Sequence, residues 1–94
     1  MSVNNAISFD DLEREHQEQL LDYICDNFVR TTSFNHKATA YGLKQEFTRL
    51  YPNKKNHVTS QCFMEAMVKS GYRAKLISTT EPLNWCFDAK TFKV

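Results

Sequence analysis

Apolar residues recur at helical spacing in three separate stretches of this chain and then alternate in two more. Leu12, Leu20, Leu21, Ile24, Cys25 and Phe28 fall three or four apart over residues 9–29, which predicts an amphipathic first helix of about five turns. Ser8 precedes it as a good N-cap, and Asp10 and Asp11 sit in the first turn, where carboxylates suit the helix dipole. The apolar stripe is dense only from Leu20 to Phe28; the run Glu13-Arg-Glu-His-Gln-Glu-Gln before it is almost wholly polar. Residues 1–7 are small and polar and are expected to be disordered.

Thr31-Thr-Ser-Phe-Asn-His-Lys ends the first helix in a loop or short edge strand, with Phe34 as its inward anchor. Thr39 then caps a second helix over about 40–51, with Leu43, Phe47 and Leu50 on one face and Pro52 as its stop. Gly42 lies inside that helix, where glycine costs roughly 1 kcal/mol against alanine; close approach of another backbone, such as the first helix, would account for it. After the polar turn Pro52-Asn-Lys-Lys-Asn-His, Thr59 caps a third helix over about 60–70. Phe63, Ala66 and Met67 face inward there, and Gly71 takes the left-handed position past its end.

Tyr72, Ala74 and Leu76 alternate with Arg73, Lys75 and Ile77, and Trp85 and Phe87 alternate with Cys86. This is strand periodicity, turned at Thr79-Thr-Glu-Pro-Leu. The resulting expectation is a single mainly α domain over 1–94: a winged helix-turn-helix of three helices, with the helix-turn-helix at 39–71 and a wing hairpin at 72–88.

Composition narrows the function. The chain has 94 residues, 41% of them apolar and 13% aromatic, which fits one folded domain. No apolar run nears the roughly 20 residues of a membrane span, and the first residues lack a secretion signal, so the expected compartment is the cytoplasm. Cys25, Cys62 and Cys86 are odd in number and far apart, which argues for reduced structural thiols rather than disulfides or a zinc site. Two isolated glycines cannot form a phosphate loop, and no nucleophile–base set emerges from the spacing. The expectation is a protein that is not an enzyme and needs neither metal nor cofactor.

The net charge of +1 conceals a division. Residues 1–30 hold seven carboxylates against two arginines, net −5, while residues 31–94 hold ten Lys or Arg against four carboxylates, net +6. Basic residues gathered on a turn, a helix end and a strand suit nucleic-acid phosphates. The candidate DNA-binding set is Lys44, Lys54, Lys55, His57, Thr59, Ser60, Gln61, Lys69, Arg73 and Lys75. Within it, the start of the third helix offers backbone N–H groups to a phosphate, and Ser60 and Gln61 are the candidate base contacts. Glu13, Glu15, Glu18 and Asp22 on the first helix form a candidate protein-binding surface. That helix, polar in its first half, also leaves a homodimer open. Single- and double-stranded DNA are not distinguished by these residues.

Thr39-x-Tyr-Gly-Leu-Lys-x-x-Phe, Val58-Thr-x-x-x-Phe63-x-x-Ala-Met67-x-x-x-Gly71-Tyr72 and Asn84-x-x-Phe87 resemble a family of small winged-helix proteins. Phages and integrated mobile elements of Gram-positive bacteria, including staphylococcal islands and cassettes, encode that family. The likeness covers about residues 39–88, excludes the first helix, and departs from the family at His57, where an aromatic is expected. It implies the company of replication proteins, a helicase and an A-family DNA polymerase, and a role as a polymerase-binding accessory in priming. A transcriptional regulator that binds duplex DNA through the third helix, and a winged-helix protein-interaction module, are the alternatives.

Overall fold

In the computed structural model, which describes residues 5–6, 8–51, 57–80 and 83–91, the chain is a small α+β fold. Its elements run β1 (Asn5–Ala6), a 3-10 turn (Phe9–Asp11), α1 (Arg14–Asn27), β2 (Phe28–Thr39), α2 (Ala40–Leu50), β3 (His57–Val58), α3 (Ser60–Lys69), β4 (Ala74–Ser78) and β5 (Asn84–Thr91). β2, β5 and β4 form an antiparallel sheet in that order, with β5 in the centre. This overturns the expected mainly α winged helix with a hairpin. The segment read as a loop or short edge strand is a twelve-residue strand, and β5 pairs with it along Phe28↔Thr91 to Arg30↔Ala89 as well as with β4.

β2 escaped the pattern because it is heavily bulged. Between Arg30↔Ala89 and Asn35↔Phe87 five steps on β2 cover two on β5, and from there to Thr39↔Cys86 four steps cover one. Extra residues on one strand bend it and break the two-residue alternation that marks a strand in sequence. Side chains take over the missing ladder bonds: Asn35 Nδ2 donates to the Ala89 carbonyl at 3.0 Å, and Thr31 Oγ1 donates to the Ser33 carbonyl at 2.7 Å.

The first helix is shorter than expected. Its N-terminal part is a 3-10 turn, where Ser8 N–H donates to Asp11 Oδ2 at 3.0 Å, and α1 starts only at Arg14. The stripe of α1 runs through His16, Leu20, Tyr23 and Ile24, all buried, while Cys25 is exposed. Two residues of the supposedly loose N-terminus pair in parallel with β3, Asn5↔His57 and Ala6↔Val58.

The capping signals of the second and third helices hold as read, whereas Ser8 precedes the 3-10 turn and not α1. Thr39 Oγ1 accepts from Gly42 N at 3.2 Å, and Thr59 Oγ1 accepts from Cys62 N at 3.1 Å. Gly71 has φ 100°, with its N–H on the Val68 carbonyl and Tyr72 N–H on the Met67 carbonyl, the pair of bonds that closes a helix on a left-handed residue. Gly42 has a local reason and not the expected one: a Cβ there would meet only the capping hydroxyl of Thr39, at 3.1 Å. Because Thr59 Oγ1 satisfies one orphan donor of α3, Thr59→Ala should cost about 1 kcal/mol. Urea unfolding of the variant checks this, and Thr59→Ser should recover most of the loss.

The core lies between the helices and one face of the sheet. Phe47, Phe63, Met67, Leu20, Ile24, Phe87 and Ala89 are fully buried, with Phe9 and Leu12 of the N-terminal segment closing it. Each of the fully buried Phe, Leu, Ile and Met side chains contributes about 1.5–3 kcal/mol relative to exposure. Cys62 belongs to the same core, and burial, with Glu65 nearby, pushes its thiol up to about 12. It therefore stays protonated and unreactive; Cys62 and Cys86 are buried, as expected of structural thiols, and Cys25 is exposed.

Candidate nucleic-acid interface and acidic groove

Alternation along β5 divides its side chains between two faces. Phe87 and Ala89 enter the helical core; Cys86 and Asp88, equally buried, lie outside it on the other face, and Lys75 of β4 is the cross-strand partner of Cys86. Asp88 organises this second face. Its Oδ1 accepts from Arg73 N at 2.7 Å, and its Oδ2 accepts from Arg73 Nε at 2.9 Å and Arg30 Nε at 3.3 Å. Burial alone would raise the carboxyl, but the Arg73 N–H and the two guanidiniums outweigh it and hold the group below its ordinary value.

Arg73 and one further cation, Lys75, converge on one aromatic ring. Arg73 Cζ lies 5.0 Å and Lys75 Nζ 5.9 Å from the centroid of Phe34, within the range of cation–π attraction. Arg30 and Arg73, with Thr31 and Thr32, also line a shallow notch of about 510 Å³. One buried negative charge therefore sits beneath two surface guanidiniums, Arg30 of β2 and Arg73 just before β4, with the Lys75 ammonium of β4 sharing the Phe34 ring. The surplus is positive, and the guanidiniums are fixed by the carboxylate rather than free to wander.

Of the candidate DNA-binding residues, Arg73 and Lys75 meet here. Of the others, Lys44, Thr59, Ser60, Gln61 and Lys69 lie elsewhere. Lys44 sits over the Tyr41 ring on α2 at 5.1 Å, and Lys69 over Phe9 at the far end of α3 at 5.5 Å. Thr59 is occupied as a cap, Ser60 is half-buried, and Gln61 Nε2 donates to Glu65 Oε2 at 3.1 Å. Glu65 Oε1 in turn accepts from Phe9 N at 2.8 Å, so the start of α3 carries the N-terminal segment. Lys54 and Lys55 lie outside the described residues, and His57 is described only through its pairing with Asn5.

Arg30, Phe34 and Asp88 were missing from the sequence-level set. Asp88 had a signal: a carboxylate at a strand position between Phe87 and Ala89 is either exposed or paired. Its partners could not be named because Arg30 was counted at the end of a helix.

The acidic candidates do come together. Glu15, Glu18, Asp22 and Asp26 repeat at helical spacing along α1 and, with Glu13, Tyr23 of the same helix and Tyr51, line a groove of about 600 Å³. Arg14 Nε and Glu18 form an exposed pair at 3.4 Å, which contributes little. His16 lies at the floor, 96% buried as its 4% exposure states, stacked on Phe47 at 5.7 Å. Desolvation lowers its pKa, with Glu13 opposing.

Among the described residues no group of three or more His, Cys, Asp or Glu is arranged to hold a metal, and no helix is long and apolar enough to cross a membrane. Comparisons with protein-family models, with curated proteins and with solved structures give no significant match.

Proposed function

We propose that this chain is a non-enzymatic DNA-binding accessory protein of a phage or mobile element, acting in replication or priming beside a polymerase. The observation that carries the DNA part is the convergence of Arg30, Arg73 and Lys75 on Phe34 and Asp88 at one sheet face. Fixed guanidiniums and a nearby ammonium are the groups that position a phosphate backbone. The replication setting rests on the resemblance of residues 39–88 alone. A regulator reading duplex DNA through α3 is less well supported, because Gln61 and Glu65 are engaged with each other and with the N-terminal segment.

Protein partnership is a second reading with its own observation. The acidic groove of α1 gathers Glu13, Glu15, Glu18 and Asp22 beside an aromatic wall and suits a cationic protein surface.

The two readings separate by experiment. Lys75→Glu should weaken DNA binding about five- to tenfold at moderate salt and reduce the slope of log affinity against log salt by about 0.7–0.9, the loss of one phosphate contact. Fluorescence anisotropy across a salt series measures both. An unchanged slope removes Lys75 from the interface. Lys54→Glu with Lys55→Glu tests the two candidate lysines outside the described residues in the same assay. Glu15→Lys with Glu18→Lys should leave the protein's DNA affinity no weaker yet abolish nuclease-resistant capture of the native polymerase. Retained capture would exclude the acidic groove as the contact.

A further inference from the structure

We infer that the cationic sheet face takes single-stranded DNA, with a base lying on Arg73 and the backbone passing Lys75 and Arg30. This deepens the DNA-binding reading above and rests on it.

The first argument is the reach of the charges. Arg30 and Arg73 share one carboxylate oxygen, and Arg73 and Lys75 share one ring. All three cations therefore crowd one small area. Such a patch follows one phosphate track. Specific grip on B-form DNA uses an element that enters the major groove, about 12 Å wide, and contacts backbones on either side. The two described helix starts that could serve are both capped by their own threonines, and α3 is further engaged through Gln61 and Glu65.

The second argument is the stacking surface. Arg73 is backed on one side by Phe34, and its Nε is tied to Asp88. Its side chain is nonetheless 55% exposed. A guanidinium centred 5.0 Å from an aromatic ring and more than half exposed offers a platform for a base, and only an unpaired strand offers base faces along its length. Thr32, exposed and lining the notch with the two arginines, adds a hydroxyl that can donate to a phosphate oxygen, while Thr31 Oγ1 is spent on the Ser33 carbonyl.

The test is fluorescence anisotropy on the full chain with three labelled 15-mers at one salt concentration: oligo-dT, a mixed-sequence duplex, and an abasic chain with the same phosphates. The single strand should bind at least tenfold tighter than the duplex and about tenfold tighter than the abasic chain, the order expected for one stacked base. Phe34→Leu, which keeps bulk and loses the ring, should bring oligo-dT close to the abasic value. If that variant fails to fold, the abasic comparison on the wild-type chain decides alone. Equal affinity for oligo-dT and the abasic chain overturns the stacked base. Duplex binding as tight as the single strand, with Lys75→Glu still weakening it, overturns the single-strand inference but leaves the DNA-binding proposal standing. Absence of binding to all three probes overturns both.

Discussion

Phe47→Ala should remove about 3–5 kcal/mol of unfolding free energy. For a domain whose total stability falls in the usual range of about 5–15 kcal/mol, that brings the folded state to the edge of existence. Phe47 is fully buried and is the ring through which α2 meets α1. It stacks with His16 at 5.7 Å, meets Tyr23 edge-on at 5.2 Å and lies tilted against Tyr51 at 5.2 Å. Deleting it forfeits the transfer energy of the ring, leaves a cavity between two helices, and unpins three aromatic neighbours. Nothing nearby can fill the space cheaply, because the neighbours are themselves held by one another: Tyr23 is also edge-on to Phe28 at 5.8 Å. Phe47→Leu should cost distinctly less, since most of the volume remains. Urea unfolding monitored by far-ultraviolet circular dichroism gives both values. A loss below about 1.5 kcal/mol for the alanine variant would mean that the aromatic cluster is not the joint between the helices.

The same cluster illustrates how far the sequence could be read. Helices α2 and α3 were legible almost to the residue, because each carries a threonine cap at its start and a clear stop at its end. Local chemistry of that kind is written in neighbouring residues. The face division of β5 was legible for a similar reason, since Trp85, Cys86 and Phe87 alternate without interruption. The first helix was overextended because Leu12 sits at helical spacing from Leu20 while the backbone breaks at Leu12 and Glu13, both extended, before α1 starts at Arg14. His16 and Tyr23 were passed over because a polar or amphipathic residue inside an acidic run reads as solvated surface; their burial is decided by Phe47, far along the chain. β2 was the largest omission. Its bulges remove the periodic signal, and its pairing depends on a partner some sixty positions away, as in Arg30↔Ala89. The candidate interface suffered in consequence: with β2 missing, Arg30 and Phe34 had no place beside Arg73 and Lys75.

Asp88→Asn should lower stability by about 2–3 kcal/mol and remove one component of acid unfolding. The side chain is fully buried and accepts three charge-assisted or backbone hydrogen bonds, two from guanidiniums and one from Arg73 N–H. Losing the partner of a wholly buried cation costs about 3–5 kcal/mol, but here Arg30 and Arg73 have side chains 62% and 55% exposed and can turn to water. The smaller figure reflects the remaining loss, a hydrogen bond to a charged acceptor and a buried amide left poorly satisfied. The pH dependence follows from the direction of the shift. The folded carboxyl titrates below the unfolded value of 3.8, so its contribution is fully present above that value and disappears as the pH falls through the folded one. His16 acts earlier. Its folded pKa is lowered from 6.5 by burial, so below that pH the unfolded chain takes up a proton that the folded chain resists. Stability should therefore decline in two stages on acidification, the first beginning near pH 6.5 and belonging to His16, the second beginning near 3.8 and belonging to Asp88. Urea midpoints measured from pH 8 to pH 2.5 resolve the stages. Asp88→Asn should flatten only the lower one, and His16→Phe, which preserves a ring against Phe47, only the upper. A lower stage that persists unchanged in Asp88→Asn would show that the carboxylate beneath Arg30 and Arg73 does not hold the second face of the sheet together.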